Sequence, residues 1–302
     1  MVDAAVAGGR RERIRSRRAP QHRAPQPAEK FVGTFTALGD LAYEGARVSA
    51  SVLDLDSDRT LVSIDDRIVL PTASVGKVLL LIEVAARVTA ETAAGLSILE
   101  KSSADAVADS GVWQHLTAPS LPMADVAALV GATSDNLATN VLLKRVGLTA
   151  VRERAESLGL ERTAMLDIVR DRRGPDDAPQ LSVGSAAELS RLFAALARGE
   201  VVDAATSARV LGWLSLGADL SMVASALGLD PLSHRATDHG LLLVNKTGTD
   251  DGVRSEAGEL RGPRTAVTYA VSVQFNDSGI WPRLRVLEAF RTIGFDLLEY
   301  VH

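Results

Sequence analysis

Apolar residues follow two different spacings near the start of the chain. From position 31 to position 42 they recur every three or four residues, which predicts an amphipathic helix. Residues 48–55 then alternate between apolar and small polar side chains, and a second apolar stretch follows at residues 60–64 after a polar turn. These patterns predict two strands joined as a hairpin.

Helical spacing dominates residues 71–227, and strand patterns return after them. We expect strands at 241–246, 253–259 and 265–275, followed by a last amphipathic helix with apolar positions at 284, 287, 290, 293 and 297. The helices of the middle part are expected near residues 74–88, 122–131, 135–146, 148–158, 184–198 and 203–216.

This order of elements predicts a fold of the α/β class, in its α+β form. Strands that follow one another through short turns pair antiparallel, so we expect one antiparallel sheet built from both chain ends and flanked by the terminal helices. Residues 31–70 and 235–302 would form this discontinuous α/β lobe. Residues 71–234 would form an all-helical lobe, with a ligand cleft between the two. Residues 1–29 are predicted to be a disordered basic tail.

The composition of the 302-residue chain narrows the function classes. A formal net charge of −5 gives no reason to expect a nucleic-acid partner, and the absence of cysteine excludes disulfides and cysteine nucleophiles. No apolar run reaches the roughly 18 residues of a membrane-spanning helix. The early arginines are followed by prolines rather than by the apolar core of an export signal. As written, the sequence predicts a cytoplasmic protein, and a wrongly assigned start codon would leave an exported form open.

Ser74 and Lys77 lie at the start of the helical segment that follows Pro71. Three residues apart on a helix, the two side chains share one face. Free backbone N–H groups at this helix end favour an oxyanion, and a desolvated lysine near a second cation can lose its proton and act as a base. A serine cap beside a solvated lysine is the plain alternative.

Two further motifs lie later in the chain. Residues 134–136, Ser-Asp-Asn, fall between two predicted helices, where their plain role would be to cap the second one. Residues 246–249, Lys-Thr-Gly-Thr, fall at the end of a predicted strand. Glycine there would let a ligand approach the strand edge and pair with its backbone, although a hairpin turn would also use it.

Together these motifs, S-x-x-K, S-D-N and K-T-G, are those of class A β-lactamases and penicillin-binding proteins. The sequence resembles this superfamily of serine hydrolases over residues 31–302, including the interval between the first two motifs and the stretch 136–140. The resemblance implies a β-lactamase/transpeptidase-like fold. It also implies a small-molecule β-lactam, peptide or ester substrate and no cofactor or metal. The sequence leaves the oligomeric state open, and a monomer is favoured.

The resemblance further implies a role for each motif residue. Ser74 would attack an amide carbonyl and become acylated, with Lys77 as its base or as the holder of the base. Ser134 would pass a proton to the leaving nitrogen, and Lys246 would hold its hydroxyl in line. The N–H groups of Ser74 and Thr249 would form the oxyanion hole. Arg254 would meet a substrate carboxylate, and Trp113 would either wall the cleft or fill the core. The substrate-binding set is Asn136, Thr247, Gly248, Thr249, Arg254 and Trp113.

One residue typical of the family is missing from the loop between the second and third motifs. Class A β-lactamases deacylate with a glutamate there, and at the corresponding spacing this sequence has Arg170. The resemblance therefore implies slow deacylation, as in a penicillin-binding protein with D-alanyl-D-alanine peptidase-like chemistry, or a substrate whose hydrolysis uses another water path. Aspartates at 167, 171, 176 and 177 are candidates for holding the water, and the sequence does not select one.

Other chemistries find less support in the sequence. A Ser-His-Asp hydrolase needs a positioned histidine, but His115, His234 and His239 accompany no G-x-S-x-G elbow. These histidines also lack a zinc-binding pattern. The competing function from another class is a binding protein that kept the fold and lost turnover.

Overall fold

The computed structural model of the chain describes residues 30–91, 95–108, 110–235 and 237–302. The predicted basic tail, residues 1–29, lies outside the described residues. The helices are α1 (Val32–Tyr43), α2 (Lys77–Thr89), α3 (Met123–Thr133), α4 (Asn136–Val146), α5 (Leu148–Ser157), α6 (Ala186–Arg198), α7 (Ala204–Leu214) and α8 (Ile280–Val301). The strands are β1 (Arg47–Asp54), β2 (Thr60–Ile64), β3 (Leu70–Pro71), β4 (Ile98–Glu100), β5 (Ser120–Pro122), β6 (Ala164–Met165), β7 (Ser182–Gly184), β8 (Leu242–Asp250), β9 (Val253–Arg261) and β10 (Ala266–Gln274).

The central sheet has five strands in the order β2-β1-β10-β9-β8, and every neighbouring pair is antiparallel. β1 pairs with β10 along its whole length, from Arg47 opposite Gln274 to Asp54 opposite Val267. α1 packs against α8, and both cover one face of the sheet over a buried apolar core. These features confirm the predicted fold class, with an antiparallel sheet from both chain ends flanked by terminal helices.

The opposite face of the sheet is covered by α6, which packs on β1, β9 and β10. Behind it lies the helical block, arranged around α2. Ten of the thirteen residues of α2 are buried, as expected of a helix enclosed on nearly all sides. The core on this side therefore fixes the first turn of α2, which is where the first sequence motif lies.

The middle of the chain is less purely helical than predicted. β3, β7 and β6 form a small sheet, and β4 pairs with β5. Residues 223–226 form a 3-10 helix that packs against α8, so this part of the predicted helical lobe belongs to the core around the terminal helices. The proposed lobe boundaries at residues 71 and 234 stay a prediction.

Local signals determine where the elements beside the cleft begin and end. Asp135 caps α4, because its side chain accepts a hydrogen bond from the N–H of Ala138 at 2.9 Å. Ser185 caps α6 in the same way by accepting from the N–H of Glu188 at 3.3 Å. None of the helices in the described ranges is long and apolar enough to cross a membrane.

Candidate active site

The three sequence motifs meet in one cleft. Its first arm, a cavity of about 420 Å³, is lined by Ser74, Ser134 and Lys246 among others. A second arm of about 860 Å³ shares Ser74, Ser110 and Thr249 with the first. Both volumes are typical of small-molecule sites, and the two arms meet at Ser74.

Ser74 lies on a 3-10 turn, Ala73–Gly76, that leads directly into α2. Ala73 has a φ of 46°, a left-handed conformation that residues with a side chain rarely adopt. β8 lies close against this turn at Gly248, where a Cβ would be 2.2 Å from the carbonyl oxygen of Thr72 and 3.1 Å from the nitrogen of Ser74. Glycine is therefore needed at position 248 for β8 to reach the nucleophile turn.

Lys77 is the first residue of α2, and its side chain is completely buried. Its Nζ donates to the carbonyl oxygen of Ser134 at 2.6 Å and to Oδ1 of Asn136 at 2.7 Å. Burial and the nearby charge of Lys246 lower the pKa of Lys77 well below its usual value, against the attraction of Asp135. An amine with a lowered pKa can accept a proton near neutral pH.

Ser134 occupies the short turn between α3 and α4, in a left-handed conformation with a φ of 55°. Its Oγ lies 3.2 Å from Nζ of Lys77 and 3.0 Å from Nζ of Lys246. Burial lowers the pKa of Lys246 to about 8, against the attraction of two nearby carboxylates. The hydroxyl of Ser134 therefore bridges two amines, and such an arrangement can relay a proton.

Backbone groups of residues 108, 112 and 113 hold the second motif in place by hydrogen bonds. Oδ2 of Asp135 accepts hydrogen bonds from the backbone N–H groups of residues 112 and 113, both at 2.8 Å. Nδ2 of Asn136 donates to the carbonyl oxygen of Ala108 at 3.0 Å. Because its Oδ1 already accepts from Lys77, a substrate amide would have to displace one of these bonds to pair with Asn136.

The third motif lies within a strand rather than at its end. β8 continues to Asp250, past the predicted end at residue 246, and its pairing with β9 has no shift of register. Thr247 is buried and Thr249 is exposed, and both line the first arm. Because β8 is an edge strand, its backbone groups on the outer side are available to pair with an extended ligand.

Arg254 lies opposite Thr249 on β9 and lines the second arm. Its Nη1 donates to the carbonyl oxygens of Asp250 at 2.9 Å and Val253 at 2.7 Å. Its Nη2 is 3.8 Å from Oδ2 of Asp277. A substrate carboxylate at Arg254 would therefore meet a guanidinium whose charge is partly balanced already.

Trp113 lies in the core rather than in the cleft wall, which corrects the expectation of an aromatic wall. Its side chain is completely buried among the residues around α2, and its indole N–H donates to the carbonyl oxygen of Ala118 at 3.1 Å. The residue of this loop that lines both arms is Ser110, whose hydroxyl donates to the carbonyl oxygen of Ser134 at 3.2 Å. The loop thus presents a serine to the cleft and turns the indole inward.

The loop that leads into β7 borders the second arm with arginines. Nε of Arg170 donates to Oδ2 of Asp167 at 2.8 Å, and its Nη2 lies 3.1 Å from Oδ1 of Asp177. Arg173 donates to the same oxygen of Asp167 at 2.7 Å. Burial opposes the ionisation of Asp167, but hydrogen bonds from Arg170, a backbone N–H and Arg173 outweigh it and lower the pKa of this carboxyl. A carboxylate held in this way is a weak base.

Asn140 anchors this loop and is missing from the predicted site residues. Its Oδ1 accepts from the N–H of Val169 at 2.9 Å, and its Nδ2 donates to the carbonyl oxygen of Val169 at 3.0 Å. Val169 in turn lines the second arm with Ser74 and Asn136. The sequence carried one usable signal, because Asn140 lies one helical turn after Asn136 and both amides share a face of α4.

Within the described residues, no group of His, Asp or Glu side chains is arranged to hold a metal ion.

Comparisons with known proteins give one family and one fold. A sequence model described as the beta-lactamase enzyme family matches residues 33–301. A β-lactamase from Sphaerobacter thermophilus superposes with a TM-score of 0.77 at 23% identity, covering 90% of this chain and 97% of that one. The protein PBP-A superposes with a TM-score of 0.73 at 18% identity, covering 89% and 95%. A class A β-lactamase from Mycobacterium abscessus gives 0.71 at 17% identity, covering 86% and 97%. A search by sequence among curated proteins finds no match.

Proposed function

The chain belongs to the beta-lactamase enzyme family, and from this premise we propose that it is acylated at Ser74 by a β-lactam or a related amide or ester. Its family and fold are those of a β-lactamase-like serine hydrolase. The observation that carries the proposal is the position of the Ser134 hydroxyl. It lies within 3.2 Å of Nζ of Lys77 and 3.0 Å of Nζ of Lys246, in the cavity that Ser74 lines.

The acylation step uses residues of all three motifs. Oγ of Ser74 attacks the carbonyl carbon and its proton passes to the neutral amine of Lys77, whose lowered pKa suits it to this role. The oxyanion that forms is met by the N–H groups of Ser74 and Thr249. When the carbon–nitrogen bond breaks, Ser134 gives its proton to the leaving nitrogen and regains one from Lys77, while Lys246 holds the hydroxyl in line.

Deacylation is proposed to be slow. By its spacing in the sequence, Arg170 is expected to stand where the family has its glutamate, and it lines the second arm next to Val169. Both oxygens of Asp167 already accept hydrogen bonds. Asp177 is likewise engaged, by Arg170 and by the N–H of Gly174. Of the aspartates considered for holding water, Asp171 lines the second arm, and its Oδ1 accepts from the N–H of Ala108. In the described part of this loop these three carboxylates are therefore already engaged by hydrogen bonds, which favours a long-lived acyl-enzyme.

A penicillin-binding protein with D-alanyl-D-alanine peptidase-like chemistry is the second candidate function. The same loop supports it, since an acyl-enzyme that resists water can persist long enough for another acceptor to reach it. A binding protein without turnover is the third outcome that an experiment has to separate.

Intact-protein mass spectrometry separates these functions. The protein is mixed with a penicillin and, in parallel, with a chromogenic cephalosporin, and the variant Ser74→Ala serves as the control. We expect a persistent mass adduct that the variant lacks, together with slow colour development. A rapid colour change without a lasting adduct would instead mean efficient hydrolysis with another water-activating group. Absence of both adduct and colour would refute acylation by β-lactams and leave another ester or a binding role.

A further inference from the structure

Two buried hydroxyls lie directly beneath the nucleophile turn. Oγ of Ser182 donates to the carbonyl oxygen of Ala73 at 2.6 Å, and Oγ1 of Thr72 lies 2.7 Å from Oγ of Ser182. Both side chains are completely inaccessible to solvent. A carbonyl oxygen can only accept, so Ser182 gives its single proton to Ala73, and Thr72 must be the donor in the bond between the two hydroxyls. The chain of donation therefore runs from Thr72 to Ser182 to Ala73.

The carbonyl that accepts the bond from Ser182 belongs to Ala73, which has a left-handed backbone conformation and directly precedes the nucleophile Ser74. Ala73 has its φ at 46°, a strained conformation that persists only where the surroundings hold it. Its carbonyl shares one planar peptide unit with the N–H of Ser74. A hydrogen bond that fixes the direction of the carbonyl therefore also fixes the direction of the N–H on the other side of the unit. Accepting a bond at the oxygen also polarises the N–H, because hydrogen bonds in a chain strengthen one another.

The surrounding backbone keeps the hydroxyls at this place. The N–H of Thr72 donates to the carbonyl oxygen of Ser182 at 3.1 Å, which ties β7 to the nucleophile turn. A Cβ at Gly76 would lie 2.2 Å from Cβ of Ser182, so the side chain of Ser182 reaches Ala73 through space that only glycine leaves open. Neither hydroxyl lines either arm of the cleft, so they would act on a substrate through the nucleophile turn that they support.

We propose that Thr72 and Ser182 are positioning residues that orient and polarise the N–H of Ser74 as an oxyanion donor. The inference rests on the proposed function, in which this N–H receives the developing negative charge. Removal of an oxyanion donor itself typically lowers the rate about 10²–10³-fold. Loss of the group that orients the donor should cost less, about tenfold.

The test compares three variants by rate and by spectroscopy. Ser182→Ala removes the bond to Ala73, Thr72→Val removes the first donor while keeping the side-chain shape, and Thr72→Ser keeps the hydroxyl as the matched control. Acylation by a penicillin is followed by stopped flow, and the ester carbonyl of the acyl-enzyme by infrared difference spectroscopy. We expect acylation to slow about tenfold in Ser182→Ala and less in Thr72→Val, with the ester band at higher wavenumber in both. Thr72→Ser should match the wild type in both measurements.

A purely structural role gives a different result. Slower acylation with an unmoved ester band, or a wild-type rate in folded Ser182→Ala, would overturn the inference. If Ser182→Ala does not fold, the comparison of Thr72→Val with Thr72→Ser decides alone. If the wild type forms no adduct, the proposed function fails, and the ¹⁵N amide resonance of Ser74 then decides. A resonance that moves in Thr72→Val and returns in Thr72→Ser supports the orienting role, and an unmoved one refutes it.

Discussion

Gly248 offers a direct test of how closely the central sheet supports the nucleophile. A Cβ at this position would lie 2.2 Å from the carbonyl oxygen of Thr72, whereas a carbon and an oxygen in ordinary contact are more than 3 Å apart. The obstacle is backbone rather than a movable side chain, so in Gly248→Ala either β8 or the nucleophile turn has to move by about 1 Å. Overpacking of this kind costs about 1–3 kcal/mol of unfolding free energy. A misplacement of about 1 Å costs on the order of 10²-fold in rate.

The two effects are measured on the same variant. Urea denaturation gives the unfolding free energy, and stopped-flow acylation by a chromogenic cephalosporin gives the rate. The matched control is Gly212→Ala in α7, where the position is exposed and an added Cβ meets no atom within 4 Å. Because alanine is the better helix former, this control should gain about 0.5–1 kcal/mol of stability and keep the wild-type rate.

The close contact of β8 with the nucleophile turn is refuted if Gly248→Ala keeps both the wild-type stability and the wild-type rate. That result would mean that β8 does not rest against the nucleophile turn as described. A loss of stability with an unchanged rate would mean that the sheet carries the strain and leaves Ser74 in place. Only a loss of both stability and rate supports the view that the contact between Gly248 and the backbone of Thr72 holds Ser74 in place.

Three further predictions concern proton transfer, deacylation and substrate charge. Since burial and Lys246 lower the pKa of Lys77, the neutral base forms as pH rises, and the acylation rate should climb through one ionisation and level off well before ~10.4, the ordinary lysine pKa. A rate that keeps climbing up to that pH would contradict this prediction. The side chain of Asn140 holds both backbone groups of Val169, and Val169 lines the second arm. A carboxylate introduced there by Val169→Glu should act as a general base for water and speed loss of the mass adduct about 10²-fold. Val169→Gln, which has no carboxylate, should leave that rate unchanged. Asp219 lines the first arm together with Lys246. Asp219→Asn removes a negative charge that repels an anionic penicillin, so kcat/KM for that substrate should rise about threefold to tenfold. An equal gain with an uncharged ester in the same steady-state assay would refute this role of the charge.

The long elements of the fold are predictable from the sequence because each presents several turns of one hydrophobic period. The expected helix at 148–158 and the described α5, Leu148–Ser157, differ by one residue at the end. The short strands β3, β6 and β7 could not be predicted, since two or three residues contain no period. β8 was expected to end at residue 246 because its pattern turns polar there, yet backbone pairing with β9 carries it on to Asp250.

The candidate site also contains some residues that the sequence predicts and others that it does not. Ser74, Lys77, Ser134 and Lys246 could be found from motif spacing, and the structure places them around one cleft. The position of Trp113 could not be found, because a single aromatic residue in a loop carries no sign of which side it faces. The pair of Thr72 and Ser182 is also invisible in the sequence, since the two hydroxyls meet only when β7 docks on the nucleophile turn.

The pairing of β1 with β10 has a consequence for the order in which the chain folds. During synthesis β1 and β2 emerge before the helices of the middle part, but a two-stranded hairpin is marginally stable by itself. The partner on the other side of β1, which is β10, emerges only after those helices. The edge of β1 that β10 later covers is therefore exposed while the helices of the middle part are made, a period in which unpaired strands are prone to associate with other chains. Phe31 and Tyr300 lie against each other in the finished molecule, with ring centroids 5.6 Å apart. A chain whose ends were joined there and opened elsewhere would bring β10 and β1 close in sequence and shorten this exposed stage.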